Sequence, residues 1–215
     1  MKKGFSIIEL LVVIAIVGII ASLMIPAISG AHSVSQTSVC KNNQGQLLLA
    51  SSIYRNDFEA NPPAVVSMLV HWDDVSVLWQ YVDQKIEEMV CPNHTDPIYS
   101  TTGYNYNTML GDEYQLGSSI TIKGIPVSDC KHPARCAMFG EGHDNKFMRA
   151  TQSNVNIRCG GRQSFRHRDS TVVGWLDGHV SVQTTIFNNG CDEAPNVGFL
   201  SEDNSSYDPR MMNLD

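Results

Sequence analysis

A chain of 215 residues with 42% hydrophobic side chains has room for one ordinary domain beside a membrane segment, which argues against two full domains. Its net charge is −7, and there is no run of five or more basic residues, which argues against nucleic-acid binding through clustered lysine and arginine. Removing residues 1–4 would take away two lysines and leave 13 basic against 22 acidic side chains, a more acidic balance still.

The N-terminus reads Met1-Lys-Lys-Gly4-Phe5-Ser-Ile-Ile-Glu9, followed by nineteen uncharged residues, 10–28. At 1.5 Å per helical residue that run spans about 28 Å, close to hydrocarbon thickness. A carboxylate at the start of such a run is costly, on the order of 2.5–3.5 kcal/mol at a helix centre. Glu9 therefore needs a partner, and the nearest candidate is the positive amine created by cutting before Phe5. Lys2 and Lys3 hold the N-terminus on the cytoplasmic side. A secretory signal would have a short apolar core and a small-residue cleavage site. Ser29-Gly-Ala31 could serve as the site, but the core is too long, and a plain anchor has no use for Glu9. Gly18 and Ala21 allow close helix approach, and Pro26 is expected to kink or loosen the helix.

From residue 31 to 57 the chain turns polar but keeps helical spacing, with Cys40, Leu47, Ala50 or Ser51, and Tyr54 on one stripe. Residues 5–57 thus read as one long helix, membranous in its first half, ended by Asn61-Pro62-Pro63. Residues 64–89 read as short helices around Trp72, Leu78, Trp79 and Val82, and 91–107 as an irregular loop. Residues 120–127 make a weak strand or pair of strands, and 137–139 another, entering Gly140-Glu141. The clearest local signal is a hairpin: residues 171–176 and 179–184 flank Asp177-Gly178. A two-residue turn there would set Trp175 opposite Val180 and Val173 opposite Val182. Beyond residue 188 the chain reads as a mobile tail.

The six cysteines, Cys40, Cys91, Cys130, Cys136, Cys159 and Cys191, all lie beyond the apolar run, which suits an oxidising compartment. Six cysteines allow fifteen pairings, and the preferred set is Cys40–Cys91, Cys130–Cys136 and Cys159–Cys191. Cys91-x2-His94 with Cys130, His132 and Cys136 could be assembled into a zinc site on paper, but the spacing does not fit paired ribbons. Glu141 is either a site residue in a cleft or a residue that caps a loop or pairs with an arginine. Arg162, Arg166 and Arg168 could bind a carboxylate or pair with Asp169.

The block Lys3-Gly4-Phe5-x-x-x-Glu9-Leu10 resembles the processing site of the type IV pilin and type II secretion pseudopilin superfamily. That resemblance implies cleavage after Gly4, methylation of Phe5, and assembly through Glu9 pairing with a neighbour's Phe5 amine. His167, nine residues, then Asp177-Gly178 is similar to the His-x9-Asp-Gly domain of one prepilin-type group; Cys40-Lys-Asn-Asn-Gln44, Cys91-Pro92, Tyr104-Asn-Tyr-Asn107 and Phe139-Gly-Glu141 look similar to it too. Ser170-Thr171 depart from the Ala-Asn more usual there. For this motif two readings stand: a type I′ turn at Asp177-Gly178 with His167 bonding it or packing at the sheet edge, or a metal site from His167, Asp169, Asp177 and His179.

The resemblance implies a pilin-like α+β fold, with a long N-terminal helix on a small antiparallel sheet, and the cysteines add the expectation of a disulfide-stapled, loop-rich C-terminal part. Its divisions are a leader over 1–4, a transmembrane and assembly helix over 5–30, a globular domain over 31–187 and an acidic tail over 188–215. The implied role is structural, without enzymatic activity or cofactor. Partners would be copies of the chain, related subunits, the prepilin peptidase and methyltransferase, and an inner-membrane assembly platform, with the globular domain periplasmic. The rival is a membrane-tethered periplasmic module that binds a ligand or metal.

Overall fold

The computed structural model describes residues 6–67, 70–95, 102–111, 113–114, 121–122, 124–130, 132–143, 146–148, 162–188, 195–202 and 205–207. Helix α1, Ile7–Phe58, runs 52 residues without interruption through Pro26. Ser6 caps it: its Oγ accepts from Ile8 N–H at 3.3 Å, while Glu9 Oε2 accepts from Ser6 N–H at 2.8 Å. This capping box satisfies two backbone donors that a bare helix start would leave open. At the other end Glu59 turns left-handed, φ 54°, and its N–H reaches Arg55 O before Pro62 and Pro63 stop the chain from continuing. The expected single helix is thus present.

Its two halves have different surroundings. The apolar side chains from Ile7 to Ile28 are all exposed, whereas Cys40, Asn43, Gln44, Leu47, Leu48, Ala50 and Ser51 are buried. Asn43 and Gln44 belong to the buried stripe because each makes a specific bond there. Asn43 Nδ2 donates to Tyr104 Oη at 3.1 Å, and Gln44 Nε2 donates to Val172 O at 2.8 Å.

The buried half lies on a five-stranded sheet. Its strands are β1 (Tyr104–Asn107), β4 (Ala137–Glu141), β5 (Phe147–Met148), β7 (Thr171–Trp175) and β8 (Val180–Gln183), in the order β5-β1-β4-β7-β8. Two small pairs complete it: β2 (Glu113–Tyr114) with β3 (Thr121–Ile122), and β6 (Gln163–Ser164) with β9 (Val197–Gly198). The sheet is mixed rather than purely antiparallel, because β5 lies parallel to β1. Beyond β4, Gly142 bridges Gln163, and β5 lies along the far side of β1, where Tyr106 N–H bonds Lys146 O.

Several local expectations need correction. Residues 104–107 form a central strand rather than an irregular loop. Asparagine is disfavoured in strands, but Asn107 Nδ2 here bonds Ala137 O and Tyr207 O at 2.7 and 2.9 Å, while Tyr104 and Tyr106 join the core beneath the helix. The described residues of 64–89 form turns, a bridge between Val65 and His71 and two 3-10 segments, Trp79–Tyr81 and Ile86–Glu88, and Trp72, Leu78, Trp79 and Met89 are held by tertiary packing. The expected tail is not a tail over 195–202 and 205–207: Phe199 and Tyr207 are fully buried, with Phe165, Val173 and Trp175, against the sheet face opposite α1. Both faces of β7 are therefore covered.

The hairpin is present with its register one residue away from the expected one. Val172 pairs with Val182 and Gly174 with Val180. Trp175 N–H bonds His179 O, Gly178 N–H bonds Trp175 O, and Gly178 has φ 98°. This is a three-residue loop, a type I turn closed by a left-handed glycine, and not the two-residue type I′ turn. A one-residue slip exchanges the faces of the strand. Val172, Val180 and Val182 accordingly pack on the helix side, and Val173 and Trp175 on the other. Gly174 lets the helix come close, since a Cβ there would stand 3.0 Å from Leu48 Cδ1 and 3.2 Å from Gln44 Oε1.

The turn with two left-handed residues lies instead at Arg168 (φ 50°) and Asp169 (φ 57°), closed by His167 N–H on Ser170 O at 3.0 Å. Asparagine and glycine suit that geometry far better than arginine does. Replacing Arg168-Asp169 with Asn-Gly is expected to stabilise the fold by about 1 kcal/mol, read as a rise in the urea midpoint with an unchanged slope; a lower midpoint would show that this turn is not the strained one.

Candidate functional site

Two places carry functional side chains. The first is the start of α1. Gly4 and Phe5, the expected cleavage and methylation residues, lie outside the described residues. Glu9 lies in the first turn, in the capping box with Ser6, at the foot of a wholly exposed apolar surface. In the isolated chain the carboxylate already has one hydrogen-bond donor and the positive end of the helix dipole. It has no opposite charge among the described residues.

The second is a buried polar knot where the amphipathic half of α1 meets the sheet. Helix α1 brings Cys40, the loop after Ile86–Glu88 brings Cys91, β4 ends on Glu141, and the turn before β7 brings His167. The side chains of Glu141 and His167 are fully buried, and Cys40 and Cys91 are at most 1% exposed. Cys40 Sγ stands 3.0 Å from Cys91 Sγ, and Cys91 Sγ stands 3.5 Å from both Glu141 Oε1 and His167 Nε2. His167 Nε2 and Glu141 Oε1 meet at 2.7 Å. The other carboxylate oxygen is taken: Glu141 Oε2 accepts from Thr171 Oγ1 at 3.2 Å and from Val172 N–H at 3.1 Å.

The pairing sets the charges. Cys40 donates to Cys91, and despite opposing burial this bond, with His167 beside it, pulls the Cys91 thiol down to about 6. The same bond, together with burial, pushes Cys40 well above its ordinary value. Burial alone would lower His167, but its contacts with Cys91 and Glu141 outweigh burial and hold it up at about 9. The knot thus joins two cysteines, a histidine and a glutamate, with Cys91 lowered and His167 raised by the contacts they make with one another.

The cysteines come together without bonding. The four described ones, Cys40, Cys91, Cys130 and Cys136, are free thiols, so the disulfide-stapled expectation is not met among them. The Cys40–Cys91 separation of 3.0 Å is well beyond the roughly 2.05 Å of a disulfide. Cys130 and Cys136, brought together by the Pro133–Arg135 turn, hydrogen-bond, and this lowers Cys130 to about 7 against the effect of burial. Cys159 and Cys191 lie outside the described residues.

The expected metal set of His167, Asp169, Asp177 and His179 is not assembled. The five-residue strand β7, about 16 Å long, separates its two halves. Asp169 is exposed in the turn before the strand. Past the strand's other end, Asp177 Oδ1 and His179 Nδ1 pair at 2.6 Å, with His179 stacked on Trp175. Nor does His167 reach the Asp177-Gly178 turn. Glu141 does pair, with a histidine rather than an arginine. Arg166 instead holds His94 Nδ1 at 3.0 Å and the Gly142 carbonyl, and Arg168 reaches Ser29 O at 3.5 Å. What the sequence concealed was the meeting of Cys40 and Cys91 with Glu141 and His167.

Residues 1–25 match the family described as the Prokaryotic N-terminal methylation motif. That match supports a type IV pilin-like protein. It favours a structural subunit over an enzyme, and with the exposed apolar half of α1 it fits anchoring in a membrane. It does not extend to the segment from His167 to Gly178. No curated protein and no solved structure matches the chain.

Proposed function

We propose that the protein is a structural subunit of a type IV pilus or a type II secretion pseudopilus, cleaved after Gly4, methylated at Phe5 and polymerised through its N-terminal helix. The observation that carries this is the methylation motif over residues 1–25 standing on a helix whose apolar half is exposed among the described residues. Apolar surface of that extent needs lipid or other copies of itself. Before assembly it lies in the inner membrane, with Lys2 and Lys3 cytoplasmic and the globular part periplasmic. During assembly Glu9 exchanges its local cap for the charged Phe5 amine of a neighbour, an ion pair that fixes register more than it adds stability. The partners are further copies, related subunits, the peptidase that trims residues 1–4, and the assembly platform.

Intact mass after co-expression with a prepilin peptidase tests the reading. The expected product begins at Phe5 and carries one added methyl group. A product that keeps Met1, or one that begins near Ala31, would overturn it.

A further inference from the structure

We propose that Cys40, Cys91, Glu141 and His167 form a closed, four-ligand zinc site that fastens the long helix to the sheet. One ligand atom from each residue lies within 4.8 Å of all the others, and every one of the four residues is buried. Two sulfurs, an imidazole nitrogen and a carboxylate oxygen are a donor set that suits a borderline dication such as zinc, and four protein ligands make a structural site. Tetrahedral bonds of about 2.0–2.3 Å require ligand atoms about 3.3–3.8 Å apart. Cys91 already meets that requirement toward both Glu141 and His167, at 3.5 Å each. The Cys40–Cys91 and Glu141–His167 separations, 3.0 and 2.7 Å, would open by well under an ångström around a central ion.

The surroundings orient the ligands. Thr171 Oγ1 and Val172 N–H hold one Glu141 oxygen, which leaves the other directed at Cys91 and His167. Such outer contacts are what aim a ligand at a metal. A disulfide would account for the two sulfurs alone and give no reason for a fully buried carboxylate and imidazole to converge on the same sulfur. On the ion the ligands would be two thiolates, a neutral imidazole and a carboxylate, with whatever protons the four side chains carry released on binding. The four ligands come from four separate segments, so the ion would tie α1, the Cys91 loop, β4 and the turn before β7 at one point. The site does not depend on the filament reading.

The test uses the full chain in detergent, purified without chelator. The expected content is about one zinc per chain. Exchange with cobalt should give the thiolate-to-cobalt charge-transfer absorption and visible bands of a tetrahedral site. C91S and H167Q are each expected to lose zinc affinity by about tenfold or more, while C130S keeps it. Background zinc with a featureless cobalt spectrum would overturn the site, as would a Cys40–Cys91 disulfide in the peptide map. So would zinc lost in C130S but retained in C91S. The cobalt spectrum of the unmodified chain decides the matter should a variant fail to fold.

Discussion

Truncating Glu141 to alanine is expected to cost about 3–5 kcal/mol of folding stability. The carboxylate faces His167 on one side and two donors on the other, Thr171 Oγ1 and Val172 N–H, all without access to water. Alanine would take the partner from His167 and leave both donors unmet, and an uncompensated buried polar group costs far more than a missing contact. Glu141→Gln keeps an acceptor for Thr171 and Val172 and loses the ion pair, so its cost should be about 1–3 kcal/mol. Urea unfolding of the full chain in detergent, with chelator present to remove any metal contribution, measures both. If E141A unfolds within about 1 kcal/mol of the unmodified chain, the pair is solvated and the knot is not buried as described.

How far these features could be read in advance depends on how local their causes are. The helix was legible because every determinant sits within a few residues: nineteen uncharged positions, Glu9 three residues after Ser6, and Asn61-Pro62-Pro63 after the end. The hairpin was legible as a hairpin, but its register was not. Asp-Gly fits a two-residue loop and also the end of a three-residue one. Alternation could not choose between them, because β7 is buried on both faces and its residues on the two sides, Val172 and Val173, are equally apolar. The segment from 195 to 207 hid its packing for a different reason. Glu202, Asp203, Asn204 and three serines make it look solvated, and they dilute Phe199, Leu200 and Tyr207, which seal the second face.

The knot was legible only in parts. His167 stood out through its spacing from Asp177-Gly178, and that spacing drew attention to the wrong partners. Three of the four knot residues, Cys91, Glu141 and His167, come from positions 50, 26 and 76 residues apart in pairs, and only the β4–β7 pairing and the seat of α1 on that pair bring them together. Cys40 and Cys91 were expected as a disulfide that ties the helix to the domain; they are neighbours, but each is a free thiol. What they share, a proton or an ion, is a matter of the two other side chains at the same spot.

Glu9→Ala should leave membrane insertion intact and reduce assembly by at least about tenfold, and the variant Glu9→Gln separates the two tasks that Glu9 can perform. In the single chain Glu9 serves as the capping-box acceptor for Ser6 N–H. Loss of that cap is worth about 1 kcal/mol, and glutamine can replace it. Insertion should if anything improve, since a charge in a spanning helix costs about 2.5–3.5 kcal/mol on insertion scales. In a bundle of such helices the balance reverses: without the carboxylate, each neighbour's Phe5 amine is left charged in apolar surroundings, and every 1.4 kcal/mol is about tenfold in association. Glutamine supplies the cap but no charge. If the ion pair governs assembly, E9Q must fail as E9A does, although its helix start is intact. Sheared-fibre yield beside membrane fractionation reads both quantities in one preparation. Wild-type fibre from E9A would remove the carboxylate from assembly altogether, whereas fibre from E9Q alone would assign Glu9 the humbler task of starting the helix.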